Sequence, residues 1–337
     1  MIPLNNLSDR IRAANPEAGR PLPDHLLVVL DDIMAGRRVP HRTAQRPKVP
    51  RRRWRPAIVG VGIAAFSIVT ALIVTVAMRP APAVAATPQP LSISPTTSSV
   101  EQLREEALTA STSPSSSRSS RGASWEGWFL QLDADQPAVT YIQPQRTELS
   151  WNEDLSGMSR VVAGTPTMTD GTVTDPLPSG AAVPGTTLYE ETWKAGEMVI
   201  PFLDVPPDQP ADMKAYLDTF LDEQDLSNTS SPSAGEYLFA VTTLMQFWNL
   251  SDAAQRATID VILSAAGLEV AGVTTDRAGR AGTALDVEPT DLDSGYRALL
   301  VIDTEHWRLL AVERITIGGL PDFGIRPSSV TDYTLWR

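Results

Sequence analysis

The spacing of apolar residues changes character along the chain, and each change marks an element. Residues 57–78 are predominantly apolar and carry no charge; residues 210–267 repeat apolar side chains every three or four positions. The stretches on either side of that repeat alternate or cluster aromatic and β-branched residues between turns, as strands do. In "PADMKAYLDTFLDEQ", Met213, Tyr216, Leu217, Phe220 and Leu221 predict one buried helix face. "AGEYLFAVTTLMQFWNL" sets Tyr237, Val241, Leu244, Met245 and Trp248 on a second stripe. "SDAAQRATIDVILSAAG" predicts a third helix, capped by Ser251 and stopped by Gly267. Ahead of these, "SWEGWFLQLD", "AVTYIQ" and "TELSWN" predict strands, residues 163–187 a loop, and "TLYEETWKAGEMVI" a hairpin turning at Ala195 and Gly196. Behind them, "LEVAGVTTD", "AGTALDVE", "YRALLVID", "WRLLAVERITI" and "SSVTDYTLW" predict strands on short turns, hence antiparallel pairing. Strands, then helices, then strands define an α+β class: a curved antiparallel sheet packed by helices on one face.

The uninterrupted run needs a different solvent. Its 22 residues would span roughly 33 Å as a helix, enough for a hydrocarbon core of about 30 Å, so residues 57–78 predict a transmembrane helix in contact with the lipid bilayer. Gly60, Gly62 and Ala65 spell GxGxxA, but no strand precedes them and no acidic residue follows at the distance a dinucleotide site requires. A cleaved signal would be shorter and closer to the start of the chain, although "AVAA" at 83–86 has suitable small residues.

Charge then sets the orientation. Residues 1–56 hold 12 Lys and Arg against 5 Asp and Glu, with Arg51, Arg52, Arg53 and Arg55 beside the run; the remainder holds 16 against 35. Basic flanks stay cytoplasmic, which predicts an inner N-terminal tail and an outer C-terminal part of a single-pass cell-membrane protein. The expected organisation is a basic tail (1–56), the span (57–78), a linker with 6 Pro and 11 Ser (79–122), and an extracytoplasmic domain (123–337). In the tail, Asp24 caps a short amphipathic helix carrying Leu26, Val29, Leu30 and Ile33, too small to fold alone and suited to a cytoplasmic regulator. In the linker, Ser99 and Gln102 have capping-box spacing ahead of Val100, Leu103, Ala107 and Leu108.

Catalytic and metal-binding patterns are sparse. There is no cysteine, which removes thiol nucleophiles, disulfides and Cys/His zinc sites; His25 and His41 are too few to replace the last. Serine-elbow, SxxK, HExxH and phosphate-loop patterns are missing. His306 alone lies beyond the span, in an expected turn beside Trp307. Asp286, Glu288, Asp291, Asp293 and Gly295 form an acidic turn that falls short of a calcium loop. Asp276 and Arg280 are expected to organise their own hairpin. No catalytic, cofactor-binding or metal-binding residue is therefore assigned, no cofactor is expected, and the protein is read as no enzyme. An outer part this acidic repels nucleic acid.

The order "ATIDVILSAAGLEVAGVTTDRAGRAGTAL" followed by "LLVIDTEHWRLLAVE" resembles the extracytoplasmic domain of a family of actinobacterial single-pass membrane proteins, over residues 210–316. Thr275, Asp276, Gly279, Arg280 and Gly282 match that family's TDxxGRxG hairpin, and Asp303, Leu309 and Leu310 match part of its DPxTGxLL hairpin. Thr304, His306 and Trp307 replace its Pro, Thr and Gly, so the second turn is expected to differ. The family is discussed beside extracytoplasmic-function sigma factors but has no established activity. The plan is also similar to envelope lipoprotein-carrier and sigma-regulator-binding sheets, at the level of fold alone. Three functions follow as expectations: an envelope sensing or binding module linked to sigma-factor regulation, its outer domain meeting an envelope ligand or protein; a lipid or lipoprotein carrier with a cavity lined by Trp128, Phe239 and Trp248; and an extracytoplasmic hydrolase.

Overall fold

A computed structural model describes residues 87–110, 118–130, 141–224, 226, 231–290, 294–321 and 324–336. The apolar run 57–78, the tail helix and the acids Asp291 and Asp293 lie outside the described residues. Among the described residues no helix is long and apolar enough to cross a membrane.

The class is α+β around a nine-stranded antiparallel sheet. Helix α1 (Val100–Thr109) and a two-residue strand β1 (Ser120–Arg121) come first. Then follow β2 (Ala123–Phe129), β3 (Gln145–Trp151), β4 (Gly157–Ala163) and β5 (Thr187–Trp193), a simple meander. Helices α2 (Pro210–Glu223), α3 (Ala234–Phe247) and α4 (Asp252–Leu263) come next, with the short β6 (Trp248–Asn249) between α3 and α4. A second meander closes the chain: β7 (Leu268–Thr275), β8 (Ala281–Val287), β9 (Tyr296–Asp303), β10 (Arg308–Thr316) and β11 (Val330–Trp336). The spatial order β5-β4-β3-β2-β11-β10-β9-β8-β7 shows that the last strand pairs with the first long one, with Tyr333 opposite Trp128. The helices are thus the connection between two meanders that meet at the sheet's centre.

Alternation decides which residue faces which layer. Leu285, Val287, Leu300, Ile302, Leu309 and Trp336 pack with the buried stripes of α2, α3 and α4 in the main core. Their neighbours in sequence, Ala284, Leu299, Val301, Leu310 and Leu335, fill two smaller clusters on the other face, together with Tyr333. The caps form as the residue types dictate: Ser99 with Gln102 and Ser233 with Glu236 make capping boxes, and Ser251 accepts the Ala254 amide. Gly267 ends the last helical segment at φ 84°, a backbone angle that costs glycine nothing. An edge-to-face pair of indoles, Trp151 and Trp248 with centroids 5.2 Å apart, anchors the core. Each ring N–H is satisfied, by the carbonyls of Phe247 and Phe202 respectively.

Two expectations require correction, and one strand was not foreseen. β4 is a strand that its sequence did not announce. "TLYEETWKAGEMVI" turns at residues 195–197, but β5 pairs with β4, and the limb after the turn forms no ladder: it buries Met198, Ile200 and Phe202 in the main core instead. In "AVTYIQ" the described residues make only isolated bridges through Ile142.

Part of the expected linker is also built into the domain. Residues 87–94 run beneath the second sheet face as a strap: Leu91 and Ile93 pack into its clusters, and Ser94 forms an antiparallel bridge with Val273 of edge strand β7. The chain then passes to the helical face, where Leu103 and Ala107 of α1 are buried and Arg104 donates to Asp260 of α4 at 3.1 Å. β7 makes room for the strap at Gly272, φ 146°, where a Cβ would meet Ile93 Cγ2 at 2.7 Å and run into the Ser94 carbonyl.

Candidate functional site

The β7–β8 turn carries the densest polar chemistry. Within it, the Asp276 carboxylate accepts the amides of Ala278 and Arg280, both at 2.9 Å, and the Arg280 Nε at 2.7 Å. Gly279 takes φ 82° to let the chain reverse. Arg280 then reaches past β9: its remaining nitrogens donate to the carbonyls of Leu310, at 2.9 Å, and Trp336. The β10 register shifts between Leu309 and Ala311, and this bulge is where the Leu310 carbonyl is offered to Arg280. Asp276 and Arg280 therefore organise their hairpin, as the sequence suggested, and also clasp it to the ends of β10 and β11.

The residue between them was not singled out. Arg277 lies across the second face, with Nε 2.6 Å from Glu313 Oε1 and its guanidinium carbon 4.9 Å from the centre of the Tyr333 ring. It also donates to the carbonyl of Gln89, at 2.9 Å, and so ties the strap to the sheet. Glu313 is 1 % exposed and meets Arg277 as an ion pair, although the N–H direction falls outside hydrogen-bond geometry. Burial pushes the Glu313 carboxyl up; the Arg277 charge pulls the other way without cancelling it. Burial also raises the Tyr333 phenol well above its ordinary value. An inward-facing acid in mid-strand was the available signal: Glu313 sits among apolar residues in "LLAVERITI".

At the end of the sheet, a cleft of about 160 Å³ is bounded by Trp248, Trp336, Arg280, Arg308, Asp303 and Gln255, among others. Arg308 at its rim pairs with Asp252 at 2.7 Å, and Asp303 holds His306 through Nδ1 at 2.8 Å. The cleft is smaller than the roughly 300–1,000 Å³ typical of small-molecule sites, and its arginines are already engaged, Arg280 by Asp276 and Arg308 by Asp252.

The other singled-out residues are dispersed. His306 is exposed in the β9–β10 turn, as expected. Trp307 beside it adopts φ 55°, a conformation that glycine takes freely, and its buried indole in the main core offsets the cost. Asp286 is paired with Arg297 at 2.6 Å; among the described residues no group of three or more His, Cys, Asp or Glu is placed to hold a metal ion. Trp128, Phe239 and Trp248 lie apart: Trp128 packs under Tyr333 on the second face, Trp248 lies in the main core, and Phe239 is exposed on α3.

The geometry defines an α+β domain on a large antiparallel sheet, with a buried charged clasp that holds both a hairpin and the incoming chain. Comparison with family models, curated proteins and solved structures returned no match for this chain.

Proposed function

We propose that the protein is a single-pass, membrane-anchored envelope protein whose outer domain senses or binds an envelope component. In this reading residues 57–78 cross the bilayer, residues 1–56 remain in the cytoplasm, and the tail helix contacts a regulator such as a sigma factor. Membership of the actinobacterial family, and a curved sheet of the carrier or regulator-binding kind, belong to the same proposal.

The observation that carries it is the strap. Only nine residue steps separate Met78 from Thr87, a reach of at most about 32 Å. From there the chain is bonded to the sheet at Gln89 and Ser94. A displacement at the membrane therefore acts directly on the charged clasp and the β7 edge, and a ligand that shifts the clasp acts back on the tether. A slack linker would uncouple the two.

Crosslinking in native membranes tests the reading, with the full chain compared against a deletion of residues 1–48 that keeps the arginines and the apolar run. Capture of a sigma factor or its regulator by the full chain alone supports a signalling tail. Identical capture by both forms, with nothing cytoplasmic, reduces the tail to a topology signal and removes the regulatory part.

A further inference from the structure

The strap touches loop 164–186, between β4 and β5: the Gln89 amide donates to the Thr169 carbonyl at 3.0 Å. It presents four large apolar side chains to solvent, Met168 (43 % exposed), Val173 (62 %), Leu177 (41 %) and Val183 (61 %). Its only charged residues are Asp170 and Asp175, and it has no base. The Asp170 carboxylate is occupied within its own turn, accepting from the Thr172 amide and hydroxyl at 2.9 and 2.6 Å.

These side chains stand on a fixed scaffold. Ile142 bridges Thr167, which bridges Val173, so the tip is a small hairpin against the sheet. The Gln143 amide group fastens the rest: Nε2 donates to the carbonyls of Gly164 and Ala182, and Oε1 accepts the Ala182 amide. Met168 and Val173 stand on the two limbs of that small hairpin, and apolar surface held outward on an ordered loop marks a contact surface.

We propose that loop 164–186 is a membrane-contacting element, with Met168, Val173, Leu177 and Val183 entering the headgroup region of the outer leaflet; this rests on the reading of residues 57–78 as the span. Tether length selects the bilayer over other occupants. Eleven residue steps join Met78 to Gln89, a reach of at most about 40 Å. The loop is pinned to the end of that tether. The outer part of the chain is acidic and is repelled by anionic headgroups, so the contact is apolar and occurs on zwitterionic lipid.

The chain has no cysteine, so single cysteines can be labelled cleanly. The full chain, reconstituted in phosphatidylcholine vesicles, carries an environment-sensitive fluorophore at Thr70→Cys, Val173→Cys, Val183→Cys or, on α1, Glu105→Cys. Doxyl-labelled phosphatidylcholine is the quencher. The expected result is a blue-shifted emission that is lost on adding quencher at positions 70, 173 and 183 but not at 105, with Met168→Asp reducing the loss at 173. Quenching at 70 without quenching at 173 and 183 overturns the loop proposal and leaves the anchor standing. A blue shift at 173 that the quencher does not affect means a protein or a second copy covers the loop, and also overturns it. Absence of quenching at 70 overturns anchor and loop together.

Discussion

Replacing Asp276 by alanine removes the centre of the clasp. The carboxylate, with no exposed side-chain surface, is the acceptor for two backbone amides and the counter-charge for Arg280. Alanine strands both amides and leaves the guanidinium with only the Leu310 and Trp336 carbonyls. Breaking a buried ion pair from one side costs about 3–5 kcal/mol. Arg280 keeps 31 % of its side-chain exposure, so water recovers part of that, and about 2–4 kcal/mol is expected. For a folded part of this size each kcal/mol moves the melting temperature by about 2–4 °C, which gives a drop of roughly 5–15 °C. Thermal unfolding of the detergent-solubilised full chain, followed by near-ultraviolet circular dichroism of its tryptophans, reads the shift. Asp276→Asn, which keeps an acceptor oxygen but no charge, should fall between the two. A melting temperature for Asp276→Ala within about 2 °C of wild type would refute the clasp as a structural hub.

Gly272→Ala forces a Cβ into the strap at a backbone angle that L residues rarely adopt; amide exchange at Ser94 and Val273 should accelerate while α3 is unchanged, and unaltered exchange would contradict the strap's seating. Burial raises the Glu313 carboxyl above its ordinary 4.5, so the native state binds that proton more tightly; the group's contribution is full below 4.5 and is lost as pH rises through the native value. Glu313→Gln cannot ionise, so wild type should lose stability relative to this variant as pH climbs from about 4.5, and a pH-independent difference would count against the burial argument. At Asp303 burial pushes the carboxyl up, but the His306 ring and the amides of His306 and Glu305 outweigh it and hold the group below 3.8; that contribution is present above 3.8 and lost in acid. His306→Ala should raise the Asp303 midpoint in an NMR titration, and an unmoved midpoint would mean that the amides alone set it.

Much of the fold was legible because local signals agreed with one another. The first two central helices carried apolar stripes, the third a cap and a stop, and the last five strands were apolar runs between short turns. β4 escaped because the sheet is half-covered there: Ser159, Arg160, Val161 and Val162 are all partly exposed, so burial imposes no period of two. The limb after β5 misled for the opposite reason, since Met198, Ile200 and Phe202 alternate with solvent-facing positions while packing against helices rather than a neighbouring strand. The strap was hidden by proline and serine composition, although Leu91 and Ile93 at a spacing of two were its trace. Of the clasp, Asp276 and Arg280 were legible from their glycine-punctuated turn. The Arg277–Glu313 pair was not, because one partner lies in the β7–β8 turn and the other on β10, 36 residues apart in sequence.

The central claim is that a tail inside the cell and a folded domain outside it are joined by one span. Substituted-cysteine labelling in intact cells tests it most directly, using Ala44→Cys in the tail and Ser150→Cys on the exposed side of β3, in a chain with no cysteine of its own. A membrane-impermeant maleimide should label position 150 in intact cells and position 44 only after permeabilisation. Labelling of both positions without permeabilisation, or of neither, would contradict the account.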